Sequence, residues 1–274
     1  MDNDKMNSLY QKFIVEGHSI SLKECVGGYP NANDCSWYHG NWMLLRYLGV
    51  VSNPYWHEKF YRNALENVCD IKKDNLLVAG TADFSMPLLC SEIGVNNVSV
   101  CDICKTPLKI CSRVSEYLNL NWNTFAHDIC SGISMKYDVV INDAFLSRFK
   151  NKEIPLKGIA NTLNSGGYYV TTLKMGKLNR GGEVEDSVKK HFIEKVERRY
   201  FEHSNSLPEV SIQDIANEYV KKMSSFPVSG EMEVYQLFET ARLKVLLIER
   251  DIVEGEYEPS EYFRTVSYTH LTLP

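Results

Sequence analysis

The sequence predicts an α/β fold built on a parallel sheet, and three observations predict it. Short apolar runs recur from about residue 75 onward, at Leu76–Ala79, Val98–Cys101, Thr124–Ala126, Val139–Ile141 and Tyr168–Thr172. Stretches of helical pattern lie between several of them, which is the mark of βαβ units, because parallel neighbours need a crossover. Each run closes on a small or polar residue, where a strand would give way to a turn.

The elements follow in order. Residues 1–70 are rich in aromatics, with Trp37, Tyr38, Trp42, Tyr47, Trp56, Phe60 and Tyr61, and WMLLRYLGV and HEKFYRNALENV carry the spacing of amphipathic helices. Pro54 breaks the first from the second. Residues 86–93 read as the first crossover helix. Residues 107–118 read as the second, with Thr106 as N-cap and Pro107 in the first turn. Residues 153–163 precede the fifth strand. Residues 174–230 are charged, helical around 183–199 and 210–223, and carry no strand signal, so they read as an insertion. A helix at 231–241 and a strand at Lys244–Glu249 resume the sheet pattern.

Composition narrows the class. The chain has 274 residues, 44% hydrophobic and 24% charged, which excludes a disordered or collagen-like protein. Lys and Arg number 30 against 35 Asp and Glu, a net charge of −5. A dedicated nucleic-acid binder usually carries a basic excess, so no nucleic-acid partner is expected. No apolar run approaches the ~20 residues that span a bilayer, and MDNDKMNSLYQKF is polar and unlike a secretory signal. The expectation is a cytoplasmic protein without a membrane partner. Its eight cysteines then read as free, small buried residues. Cys101 and Cys104 have CxxC spacing, but no second pair and no pair of histidines follows at ligand spacing, so no metal is expected.

The chemistry sits at the strand ends. Leu76–Ala79 runs into Gly80-Thr81-Ala82-Asp83-Phe84-Ser85, a tight turn whose backbone N–H groups can approach a ligand. Asp102 follows Gly80 by 22 residues and ends the second strand, placed to accept from two ribose hydroxyls, with Ile103 beside it. Asp128 and Ile129 end the third, where a carboxylate could accept from an exocyclic adenine amine. Asn142, Asp143, Ala144 and Phe145 end the fourth, and Asn164-Ser165-Gly166-Gly167 precedes the fifth. Singly, each has a simpler role: Asp102 as a charge at a helix N-terminus, Asp128 as a solvated loop acid, Asp143 as a helix cap. Their joint order and spacing points to a cofactor.

In that order and spacing the chain resembles class I S-adenosylmethionine-dependent methyltransferases, well over residues 72–173 and more loosely over 231–249. The resemblance implies a Rossmann-like seven-stranded methyltransferase sheet, mostly parallel with its last strand antiparallel, and helices on both faces. That strand would start near Tyr262-Phe263-Arg264 and run to about residue 271. The resemblance also implies S-adenosylmethionine as cofactor, held by Gly80, Thr81, Ala82, Asp83, Asp102, Ile103, Asp128, Ile129, Asn142 and Asp143. SWYHGNWMLLRYLGVVSNPYWHEKF is similar to the leader of an uncharacterised bacterial branch of the family, whose loop reads like GTADFS. The expected organisation is a helical lid over 1–70, a cofactor-binding domain over 71–265 with the insertion at 174–230, and a tail.

Two departures from the family pattern stand out. Phe84 is large where the methionine part of the cofactor lies, and Val78 replaces an acidic residue on the first strand. The fourth strand ends without the Asp/Asn-Pro-Pro-aromatic run of DNA amino-methyltransferases, which counts against a DNA base; a small molecule is the expected acceptor. Tyr38, His39, Phe145 and Arg148 are the candidates to face it; no catalytic residue is singled out. Gly80, Ala82 and Ser85 also approximate a degraded GxGxxG, so an NAD(P)-dependent oxidoreductase is one alternative, and a non-catalytic ligand-binding or scaffold protein on the same fold is another. The last nine residues, VSYTHLTLP, resemble a translated transposon adapter from sequencing libraries. They are expected to be a non-native tail over 266–274, whose β-prone residues would nonetheless continue the last strand.

Overall fold

The computed structural model describes residues 3–25, 35–176, 184–254 and 259–269. The strands are β1 (Asn75–Ala79), β2 (Asn97–Asp102), β3 (Asn123–Ala126), β4 (Tyr137–Asn142), β5 (Leu163–Lys174), β6 (Leu243–Val253) and β7 (Ser260–Thr269). They form one sheet in the order β3-β2-β1-β4-β5-β7-β6. The first five pair in parallel, and β7 runs antiparallel between β5 and β6. This is the expected sheet, with β7 beginning two residues before Tyr262. The adapter-like residues do continue it: Val266, Ser267 and Tyr268 pair with Val170, Tyr169 and Tyr168. The end of the expected strand, at 270–271, lies outside the described residues, as does the rest of the tail.

Helices cover both faces. Before the sheet come α1 (Asn3–Glu24), α2 (Ser36–His39), α3 (Trp42–Tyr47) and α4 (Glu58–Val68), with a 3-10 turn at Pro54–His57. Crossovers α5 (Ser85–Ile93), α6 (Lys105–Leu118) and α7 (Glu153–Thr162) link the parallel strands, α8 (Asp186–His203) and α9 (Ile212–Lys222) form the insertion, and α10 (Glu231–Thr240) leads into β6. Side chains alternate across a strand, so β1 feeds two cores. Leu76 and Val78 join α1 and α3–α6 on one face; Leu77 and Ala79 join α7 and α10 on the other. Among the described residues no helix is long and apolar enough to cross a membrane.

Two local expectations change. The N-cap of α6 is Cys104, whose sulfur accepts from the Thr106 N–H at 3.5 Å; Thr106 lies inside the helix and is fully buried. The Gly166-Gly167 pair lies within β5 as an irregularity, not before it as a turn. Gly166 is left-handed at φ +79, and the register shifts there from Tyr137 opposite Leu163 to Val139 opposite Tyr168.

Candidate active site

Strand order reverses between β1 and β4, so the loops leaving these two strands diverge and open a crevice at the carboxyl edge. A cavity of about 300 Å³ lies there. Its sheet wall is Gly80, Thr81 and Ala82 after β1, Asp102 and Ile103 at β2, and Asp143, Ala144 and Phe145 after β4. Its helical wall is Tyr38, His39, Trp42 and Arg46 from α2 and α3, with Phe192 and Tyr219 from the insertion.

Each sheet-wall group is fixed by nearby chain geometry. Gly80 adopts φ +74, and a Cβ there would stand 2.3 Å from the Phe145 ring, so any other residue would strain the backbone and displace that ring. Asp102 accepts from the Thr81 N–H at 3.1 Å and the Cys104 N–H at 2.7 Å, which turns its carboxylate toward the loop after β1. Burial pushes its pKa up to about 6, opposed by His39 and the Cys104 N–H. Asp143 Oδ1 accepts from the Thr172 hydroxyl at 2.7 Å, and the Tyr61 hydroxyl lies 3.0 Å from it. Asp143 Oδ2 is buried and has no partner among the described residues. Ala144 is held left-handed at φ +50 while its N–H donates to Thr172 Oγ1 at 2.9 Å.

The helical wall is fixed by contacts distant in sequence. The Arg46 guanidinium, 5% exposed, meets the fully buried Asp83 carboxylate at 2.6 Å, and Arg46 also donates to the Ser85 hydroxyl and the Ser52 carbonyl. Burial is the largest influence and works against the Arg46 charge, but Asp83 together with Tyr10, Asp143 and Tyr38 outweighs it, so the pKa of Arg46 is raised. Tyr219 packs on Trp37 at 5.6 Å and stacks on Phe192 at 5.0 Å, joining the insertion to the N-terminal helices. The Arg148 guanidinium stands 5.2 Å over the Tyr38 ring and donates to the Ser224 carbonyl at 3.4 Å.

Of the residues expected from sequence, Gly80, Thr81, Ala82, Asp102, Ile103 and Asp143 share the cavity with Tyr38, His39, Phe145 and Arg148. Four others do not line it. Asp83 is spent on Arg46 and Ser85 beneath the loop. Asn142 is fully buried, with its side-chain Oδ1 accepting from the Tyr169 and Thr171 hydroxyls. Asp128 caps the short turn Ile129–Ser131 through the Cys130 N–H at 2.9 Å, and Ile129 packs in the core; both follow the edge strand β3, away from the reversal. The two departures resolve in the fold. Phe84 turns from the cavity into the core, 5.1 Å from Tyr10 and 6.2 Å from Phe13. Val78 is fully buried in the sheet, and an acid facing the cavity is supplied by Asp143. Trp42, Arg46, Phe192 and Tyr219 were not expected at the site. An arginine inside the apolar stretch WMLLRY is the one signal that flags its position, since buried arginine requires a partner.

The sheet order, the antiparallel seventh strand and the acids at the carboxyl edge define the class I S-adenosylmethionine-dependent methyltransferase fold. Solved structures with this fold superpose on the chain. A SAM-dependent methyltransferase from Methanosarcina mazei does so with a TM-score of 0.51 at 14% identity, over 76% of this chain and 97% of its own. The MccD protein gives 0.55 at 11% identity, over 80% and 100%. The [4+2]-cyclase SpnF gives 0.52 at 9% identity, over 78% and 81%. No protein-family model matches the chain, and no curated protein does. The likeness is one of fold, and one fold carries several chemistries, so function must be argued from the cavity.

Proposed function

We propose that the chain binds S-adenosylmethionine at the carboxyl edge of β1, β2 and β4 and transfers its methyl group to a small-molecule acceptor. The observation that carries this reading is the cavity at the strand reversal, lined together by the Gly80–Ala82 loop after β1, Asp102 at β2 and Asp143 after β4. The backbone at Gly80–Ala82, free of a Cβ at its first residue, gives the close approach an adenosyl group needs. Each Asp102 oxygen accepts one backbone N–H and keeps a lone pair for a ribose hydroxyl.

When bound, the cofactor supplies a methyl group already activated on a sulfonium sulfur. Tyr38, Phe145 and Arg148 would enclose the acceptor, with His39 in the same wall, and exclude water from it. Holding the acceptor in line with the methyl–sulfur bond can supply up to ~7–11 kcal/mol of the barrier. The net charge of −5 and the aromatic enclosure favour a small acceptor over nucleic acid.

Calorimetric titration with S-adenosylhomocysteine and with NAD tests the reading. S-adenosylhomocysteine is expected to bind, and Asp102→Ala to weaken it by about 1–3 kcal/mol, the worth of charged hydrogen bonds. Binding of NAD alone would overturn the assignment in favour of an oxidoreductase. Binding of S-adenosylhomocysteine without methyl transfer to any component of a cell extract would favour a non-catalytic role.

A further inference from the structure

Beside the adenosyl-binding edge, four metal-ligating side chains from separate parts of the chain meet in one place. The ligand atoms of Cys25, Cys35, His39 and Cys104 all lie within 4.8 Å of one another. Cys25 follows α1, Cys35 caps α2, His39 ends α2, and Cys104 caps α6. Three of the four are buried and Cys35 is half-buried.

Three of the six separations between them match those of a tetrahedral zinc site. Zn–S bonds of ~2.3 Å and a Zn–N bond of ~2.05 Å in a tetrahedron set neighbouring sulfurs ~3.8 Å apart and sulfur and nitrogen ~3.6 Å apart. Cys25 Sγ and Cys104 Sγ are 3.7 Å apart, Cys35 Sγ and Cys104 Sγ are 3.7 Å apart, and Cys25 Sγ is 3.5 Å from His39 Nδ1. A disulfide explains less. Its sulfurs stand ~2.05 Å apart, three thiols cannot all pair, and the histidine would have no role. The surroundings suit thiolates: the Thr106 N–H points at Cys104 Sγ at 3.5 Å, and the Thr106 hydroxyl is 3.0 Å from Cys25 Sγ. Three thiolates and a neutral imidazole around Zn²⁺ carry one net negative charge, and the site lies at the N-terminus of α6, where the helix dipole favours it.

We propose that Cys25, Cys35, His39 and Cys104 bind one zinc ion in a closed, structural Cys3His site. Binding exchanges three thiol protons for the metal, with no change of oxidation state. The ion ties α1 and α2 to the loop between β2 and α6. It thereby holds the α2 part of the helical wall against the strand end that carries Asp102, two residues before Cys104. The site stands on its own ligands and does not depend on the identity of the cofactor.

The full chain, expressed with zinc in the medium and freed of any affinity tag, is assayed by plasma mass spectrometry. About one zinc per chain is expected. Cys35→Ala and Cys104→Ser should each lose it, whereas Cys69→Ser and Cys130→Ser, outside the cluster, should keep it. Cobalt exchanged into the unmutated protein should give intense thiolate-to-metal charge-transfer absorption and a tetrahedral d–d band, so the test does not depend on the variants folding. A metal-free chain, iron or copper in place of zinc, zinc that survives both ligand substitutions, or a Cys25–Cys104 or Cys35–Cys104 disulfide in non-reducing peptide maps would each overturn the proposal.

Discussion

The two walls of the cavity are built by different means. On the sheet wall, Asp102 is aimed by two backbone N–H groups at strand ends, and Gly80 sits in a turn that β1 itself terminates. On the helical wall, Arg46 is held by Asp83, 37 residues later in the chain. Sheet geometry delivers the first wall wherever a βαβ unit closes. The second exists only if distant segments find each other, so its stability rests on a few pairs whose loss should be felt far more.

Asp83→Ala therefore carries the largest expected effect. It leaves the Arg46 charge buried and uncompensated, and breaking such a pair costs roughly 3–5 kcal/mol. Urea unfolding of the variant should show that loss, and Arg46→Met combined with Asp83→Leu should recover much of it by replacing the pair with apolar volume. A loss below about 1 kcal/mol, the level of an exposed pair, would mean that the helical wall is held by its aromatic contacts and that the contrast between the walls is wrong.

The same contrast decides what could be read from the sequence. The parallel strands, the first two crossovers, the antiparallel closing strand and the cavity-lining position of six of the ten expected residues follow from local rules, because a strand of period two that ends on glycine or an acid places that residue at the sheet edge. Asp128 and Ile129 follow the same rule, yet the strand order puts them on the edge strand and away from the cavity, and strand order is not a local property. Asp83 has the residue type of a ligand-facing acid, and its true partner, Arg46, was visible only as a charge in an apolar helix. The cysteine cluster escaped for a related reason. Cys35 and His39 are one helical turn apart, a ligand spacing, but Cys25 and Cys104 join them through the packing of α1 on α6.

Two glycines, one in each wall's neighbourhood, sharpen the comparison at smaller magnitude. Gly49 at φ +66 and Gly80 at φ +74 are both left-handed, so alanine at either incurs about 1–2 kcal/mol of backbone strain. A Cβ at Gly49 meets nothing within 4 Å, whereas at Gly80 it meets Phe145 at 2.3 Å. Gly49→Ala should lower stability alone. Gly80→Ala should lower it further and also abolish S-adenosylhomocysteine binding, because the displaced ring has the cavity to move into. Equal effects of the two on binding and on thermal unfolding would show that Phe145 yields elsewhere and that the loop after β1 is not tightly templated.

Tyr61→Phe has the smallest expected effect and the most direct bearing on whether the walls are separate. Tyr61 lies on α4, and its hydroxyl reaches the sheet wall, 2.9 Å from the Asn142 carbonyl and 3.0 Å from Asp143 Oδ1. Burial, with Asp143 beside it, raises the phenol pKa well above its ordinary value, so it acts as a neutral donor. Removing the hydroxyl leaves the Thr172 donation to Asp143 intact, and the ring keeps its place in the core. The loss should be one neutral hydrogen bond, about 0.5–1.5 kcal/mol in unfolding free energy. If the variant instead unfolds as readily as Asp83→Ala, α4 couples the two walls, and the position of Asp143 would depend on long-range packing as much as Arg46 does.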